Sequence, residues 1–127
     1  MKNDQSIQLC KFLKTNNLSY NEEAKDKFHR LAKKWAKNIA TRMNMTDFDI
    51  RSNKGGIAVS GEVTLHAHNI YIQVDQSCMR GMDVMYRKCN GKQDYSGGCN
   101  NFLYDDGLLQ GDDFVISKFQ RLLGINS

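Results

Sequence analysis

Apolar residues recur along the first third of the chain with a helical period. Ala24, Phe28, Leu31, Trp35, Ile39 and Met43 follow at steps of four, three, four, four and four, winding one apolar stripe along a single long helix. Just before it, Ser19-Tyr20-Asn21-Glu22 has the spacing of a capping box, in which hydroxyl and carboxylate satisfy each other's free backbone donors, so the helix is predicted to begin there. Upstream, Asp4 is placed to cap a shorter helix running to about Leu13, with Ile7, Leu9, Cys10 and Leu13 as its apolar side, before Asn16-Asn17 interrupts it.

From Thr46 the period changes to two. Phe48 and Ile50, then Ile57, Val59, Val63 and Leu65, then Ile70, Ile72 and Val74 occupy alternate positions, the pattern of half-buried strands. Asn53-Lys54-Gly55-Gly56 and Ala67-His68-Asn69 supply turns, which makes the pairing antiparallel. A fourth strand is expected from Asp83 to Cys89. Residues 90–111 hold Gly91, Gly97, Gly98, Gly107 and Gly111 among Asn and Asp and read as a long loop, ordered by Tyr95, Phe102 and Tyr104. Asp112 or Asp113 can start a last helix with Val115, Phe119 and Leu122 on one side, closed by Gly124. The predicted fold is α+β: N-terminal helices packed on an antiparallel four-stranded meander sheet, a long Gly/Asn-rich loop and a C-terminal helix. A length of 127 residues suits one domain, divided into a helical segment 1–44, a sheet 45–90, a loop 91–111 and a helix 112–124.

Composition narrows this picture. With 40% apolar and 25% charged residues the chain is neither disordered, collagenous nor a coiled coil. Proline is absent, so every turn relies on Gly, Asn, Asp and Ser. The chain has no long uninterrupted apolar run, and Met1-Lys2-Asn3-Asp4-Gln5 does not open an apolar signal, so a cytoplasmic protein without membrane association is expected. Cys10, Cys78, Cys89 and Cys99 are then expected as free thiols. A His/Cys zinc site built from His66, His68 and these cysteines would lack the close ligand pairs that structural zinc uses, so no metal or other cofactor is expected.

Charge is unevenly distributed. The net +4 combines ten Lys/Arg against four Asp/Glu in residues 1–44 with eight against ten in residues 45–127. On the long helix, Lys27, Arg30, Lys34 and Lys37 fall within an arc of about 80°, with Lys33 beside them. Asp26 precedes Arg30 and Glu23 precedes Lys27 by four residues, whereas Lys33, Lys34, Lys37 and Arg42 have no acid at that spacing. This ridge suits phosphate contact or an acidic protein surface, and equally an ordinary solvated helix face.

A second cluster, Tyr86-Arg87-Lys88-Cys89-Asn90-Gly91-Lys92, continues to Tyr95 and Gly97-Gly98. It interleaves cations with aromatics as phosphate-chain binders do, or forms a strand end followed by an anchored loop. The strand alternation also turns Glu62, Thr64, His66, Tyr71, Gln73 and Asp75 outward, where solvent exposure is expected. Tyr71 alone is a thin platform for stacking bases. A phosphodiesterase site pairing His66 and His68 with Lys54 or Lys92 can be drawn, but no P-loop, G-x-S-x-G, H-E-x-x-H or dinucleotide fingerprint accompanies it, and the reading is non-enzymatic.

Ile70-Tyr71-Ile72-Gln73, followed by Tyr86-Arg87-Lys88-Cys89 and Asp94-Tyr95-Ser96-Gly97-Gly98, resembles small accessory proteins of tailed bacteriophages over residues 55–104. The resemblance implies a phage protein acting in the bacterial host cytosol. Such proteins commonly counteract host defence by occupying a surface, as anti-CRISPR proteins do. The expected function is therefore an inhibitor that binds a host defence protein or ribonucleoprotein complex through a basic surface formed by Lys27, Arg30, Lys33, Lys34, Lys37, Tyr86, Arg87, Lys88, Lys92 and Tyr95. The alternatives are a module binding DNA or RNA directly, and a small nuclease or hydrolase using the His66/His68 region.

Overall fold

A computed structural model of the chain describes residues 4–16, 22–53, 62–75, 84–91, 101–103 and 108–124. Helices α1 (Gln5–Asn16) and α2 (Glu22–Arg42) precede strands β1 (Phe48–Asn53), β2 (Glu62–Ala67), β3 (Ile70–Asp75), β4 (Val84–Lys88) and β5 (Asn101–Leu103). A 3₁₀ turn at Leu108–Gln110 then leads into α3 (Asp112–Leu122). The class is α+β as the pattern predicts, but the described residues form a sheet of five antiparallel strands in the order β1-β2-β3-β4-β5, not four.

The fifth strand corrects the reading of 91–111 as loop. Val84 faces Leu103, Met85 faces Phe102 and Tyr86 faces Asn101, so a three-residue segment completes the open edge of β4. Three residues are too few to display a period of two, which is why alternation does not announce them. Leu108, in the 3₁₀ turn of the same predicted loop, is buried. The proposed Ser19 cap and the Asn53–Gly56 turn fall largely outside the described residues.

Helix α2 buries Phe28, Trp35 and Ile39 completely and Leu31 and Met43 partly. Ala32, Ala36 and Ala40 complete the buried arc with small side chains that let the helix lie close to its neighbours. The helix ends in a left-handed turn at Asn44 (φ 57°), where Asn44 N–H donates to the Thr41 carbonyl and Met45 N–H to the Ala40 carbonyl. This satisfies terminal carbonyls that would otherwise lack donors. Helix α2 packs over β1 and β2, and α3 over β4, so both helices cover the same face of the sheet. On that face Val63, Leu65, Ile70, Ile72, Val74 and Val84 join Leu9, Phe12, Val115 and Phe119 in one buried apolar cluster.

The helices are tied together by a polar knot at their ends. Asp4 caps α1 by accepting from Ile7 N–H at 3.0 Å, and its other oxygen accepts from Asp112 N–H at the start of α3, also at 3.0 Å. Asp112 answers in kind: its carboxylate accepts from Gln5 N–H (3.2 Å), Ser6 N–H (2.8 Å) and Ser6 Oγ (2.6 Å), and from Asn38 Nδ2 of α2 (3.1 Å). Ser6 Oγ in turn accepts from the buried Trp35 indole N–H at 2.8 Å. Each carboxylate thus lies at the positive N-terminal end of the other's helix. Gly111 makes this approach possible, since its φ of 101° suits only glycine and a Cβ there would sit 2.9 Å from Asp4 Oδ2.

Candidate functional site

The residues that bury α2 and those that expose it occupy opposite arcs of the same helix. Lys27, Arg30, Lys33, Lys34 and Lys37 are all exposed on the arc turned away from the sheet. Among the described residues no carboxylate lies within ion-pair distance of these five. The strip from Lys27 to Lys37 spans ten residues, about 15 Å along the axis.

Carboxylates stand at both ends of the strip. Exposed Glu23 and Asp26 occupy its N-terminal end, one turn before Lys27 and Arg30. At the C-terminal end Arg42 forms an ion pair with Asp113 of α3. That hydrogen bond holds the Arg42 pKa above its ordinary value. Arg42 has no acid at helical spacing in its own helix, and the structure supplies one from 71 residues away. Sequence spacing carries no signal for such a partner.

The second cluster does not join the first. Arg87 and Lys88 are successive strand residues and point to opposite faces. Arg87 lies on the face away from the helices, with its guanidinium 4.6 Å from the centre of the Tyr71 ring. Lys88 is exposed at the end of β4, on the strand that α3 covers, not over β1 and β2 where α2 lies. Tyr86 is a correction to the expected surface: it is 8% exposed and packs edge-on to Phe119, with ring centres 4.9 Å apart. Its alternation with Ile72 and Val84 assigns it to the core face. Burial pushes its hydroxyl above the usual 10, while Arg121 pulls the other way. Lys92 and Tyr95 lie outside the described residues.

The polar face of the sheet also departs from expectation. Thr64, His66 and Tyr71 point away from the helices as the alternation requires, yet they are buried, at 8%, 4% and 8% exposure. Asp49, His66, Tyr71 and Arg87 form one row across β1 to β4. His66 Nε2 donates to the Gly91 carbonyl at 3.0 Å, its ring meets Tyr71 edge-on, and the Tyr71 hydroxyl donates to Gln73 Oε1 at 3.1 Å. An outward strand position is therefore not a wet one here, and Tyr71, edge-on to His66 and faced by the Arg87 guanidinium, offers no open platform for a base.

The catalytic and metal options gather little. His66 is buried and engaged with the Gly91 carbonyl, while His68 is exposed in the turn between β2 and β3. Lys54 and Lys92 lie outside the described residues, as do Cys78 and Cys99. Cys10 and Cys89 are buried, and Cys89 Sγ donates to the Ala67 carbonyl. Among the described residues no group of three or more His, Cys, Asp or Glu could hold a metal ion. A buried histidine that the pattern does not single out, His29 on α2, has Nδ1 2.7 Å from Ser52 Oγ and ties the helix to edge strand β1. Among the described residues no helix is long and apolar enough to cross a membrane. In comparisons with known proteins, the chain matches no family model, no curated protein and no solved structure.

Proposed function

We propose that the protein is a non-enzymatic docking module whose contact surface is the outer arc of α2. The observation that carries this reading is the set of five exposed cations, Lys27, Arg30, Lys33, Lys34 and Lys37, with no carboxylate among the described residues within ion-pair distance. Concentrated like charge on a rigid helix steers association with an oppositely charged surface and costs the fold little, because the opposite arc supplies the packing. Arg87, Lys88, Lys92 and the tyrosines beside them are not needed for this surface.

The likeness of residues 55–104 to small accessory proteins of tailed bacteriophages supports a target in the bacterial cytosol, within a host defence complex that handles nucleic acid. The test is expression in a bacterial strain with active CRISPR interference. Restored phage plating that is lost on combined Lys33→Glu, Lys34→Glu and Lys37→Glu substitution supports the reading. Unchanged interference at a verified protein level overturns the defence role. Capture of host components through immobilised protein, with and without nuclease, separates the two kinds of target: retention after nuclease indicates a protein, and loss indicates direct DNA or RNA binding.

A further inference from the structure

The α2 surface has ends, and its ends say what fits it. A nucleic-acid backbone presents charge without interruption, about one phosphate every 1.7 Å of duplex axis, and rewards a continuous basic track. The strip here runs only about 15 Å from Lys27 to Lys37. Beyond it, a backbone would meet Glu23 and Asp26 at one end and Asp113 at the other, where Arg42 is already neutralised. Among the described residues Arg87 does not prolong it, since it lies on the opposite face of the sheet, against the Tyr71 ring. Between Lys27 and Lys37 the outer arc has no aromatic residue to serve as a stacking platform for bases, and the nearest amide, Asn38, donates to Asp112.

The spacing points the same way. Lys27, Arg30, Lys34 and Lys37 are separated by three, four and three residues, which is the repeat of a helix surface. A partner helix with carboxylates at the same steps can lie alongside in register. We infer that the partner of the α2 strip is a short acidic helix face of another protein, about three turns long, and not a nucleic-acid backbone. This rests on the docking reading above and names the class of partner.

The test uses fluorescence anisotropy at low and physiological salt on the intact protein. The probes are a synthetic 18-residue helical peptide with Glu at steps of three, four and three, the same composition scrambled, a 20-base-pair DNA duplex and a 20-nucleotide single strand. The inference expects the patterned peptide to bind at least tenfold tighter than the scrambled one. That preference should vanish in the Lys34→Glu, Lys37→Glu variant and return when the facing peptide glutamates become lysines. Circular dichroism and melting of the variant confirm that it is folded. Duplex or single strand binding better than the peptide, with loss in the same variant, overturns the acidic-helix assignment and leaves α2 as the docking surface. Binding of every probe unchanged in the variant, or of none, overturns the docking reading itself.

Discussion

Removing the Asp112 carboxylate should cost more than any surface charge in this protein, because it accepts from four donors on two other helices. Two of these, Ser6 N–H and Ser6 Oγ, share Oδ1 and are buried. The other two, Gln5 N–H and Asn38 Nδ2, share Oδ2 and are partly buried. A hydrogen bond to a charged group contributes roughly 1.5–3 kcal/mol, and a buried donor left without a partner costs about 1–3 kcal/mol. Water can serve the two partly buried donors in Asp112→Ala, so the loss is dominated by the Ser6 pair and comes to about 3–5 kcal/mol. A domain has about 5–15 kcal/mol in total. With a urea slope of about 2 kcal/mol/M, the midpoint should fall by roughly 2 M. Asp112→Asn keeps one oxygen for the two Ser6 donors but turns an amide N–H₂ toward Gln5 and Asn38, and should lose about half as much. The measurement is urea unfolding followed by Trp35 fluorescence, with Ser6→Ala and the double variant completing a cycle in which the losses are not additive. A midpoint shift under about 0.5 M for Asp112→Ala, at unchanged slope, would show that the helix ends are held by apolar packing alone.

Trp35→Ala removes a completely buried side chain and the donor to Ser6 Oγ, and should destabilise by about 3–5 kcal/mol in the same assay; a stable variant that no longer binds its partner would place Trp35 in an interface. Gly111→Ala forces a side chain into a positive-φ conformation against Asp4 Oδ2 and should cost about 1–3 kcal/mol, with near-native stability arguing against the close approach of α1 and α3. Tyr86 has a raised pKa in the folded state, so unfolding releases its proton in alkali, and its contribution is full below about pH 10 and declines as pH rises further. Tyr86→Phe should therefore lose less melting temperature than the parent between pH 9.5 and about 11, and parallel curves would refute the assignment.

What the sequence discloses is what repeats locally. The α2 stripe, the alternation of β2 and β3 and the two-residue His68-Asn69 turn each declare themselves within a few neighbours, and so do the cations of the outer α2 arc. What it conceals is pairing across distance. Asp4 reads as the cap of α1, but nothing near it shows that its second oxygen holds α3, 108 residues on. Arg42 looks unneutralised until α3 brings Asp113 to it. Tyr86 looks like a binding aromatic because it neighbours Arg87 and Lys88, although strand alternation places it in the core. β5 is invisible because a partner strand, not its own composition, makes it a strand.

The same long-range pairing sets the length of the basic strip on α2, and this gives the sharpest test of why the strip is short. Asp113 side-chain exposure is 90% and that of Arg42 is 42%, so their ion pair contributes little to stability. Its effect is on the field: it cancels the cation that would carry the strip from Lys37 to Arg42. Asp113→Asn removes the charge and keeps a polar side chain in the first turn of α3, so the fold should be retained. Arg42 then adds a charge fifteen residues from Lys27 and about 100° round the helix from the centre of the arc, so the basic surface widens at its C-terminal end and reaches from about 15 Å to about 22 Å along the axis. A longer, open-ended strip favours a continuous polyanion. Asp113→Asn should raise affinity for a 20-base-pair duplex several-fold at low salt and steepen its salt dependence by about one phosphate contact, while affinity for the patterned acidic peptide changes by less than twofold. If duplex affinity does not rise although Arg42 has lost its partner, carboxylates at the ends are not what limits the strip, and the argument from its length fails.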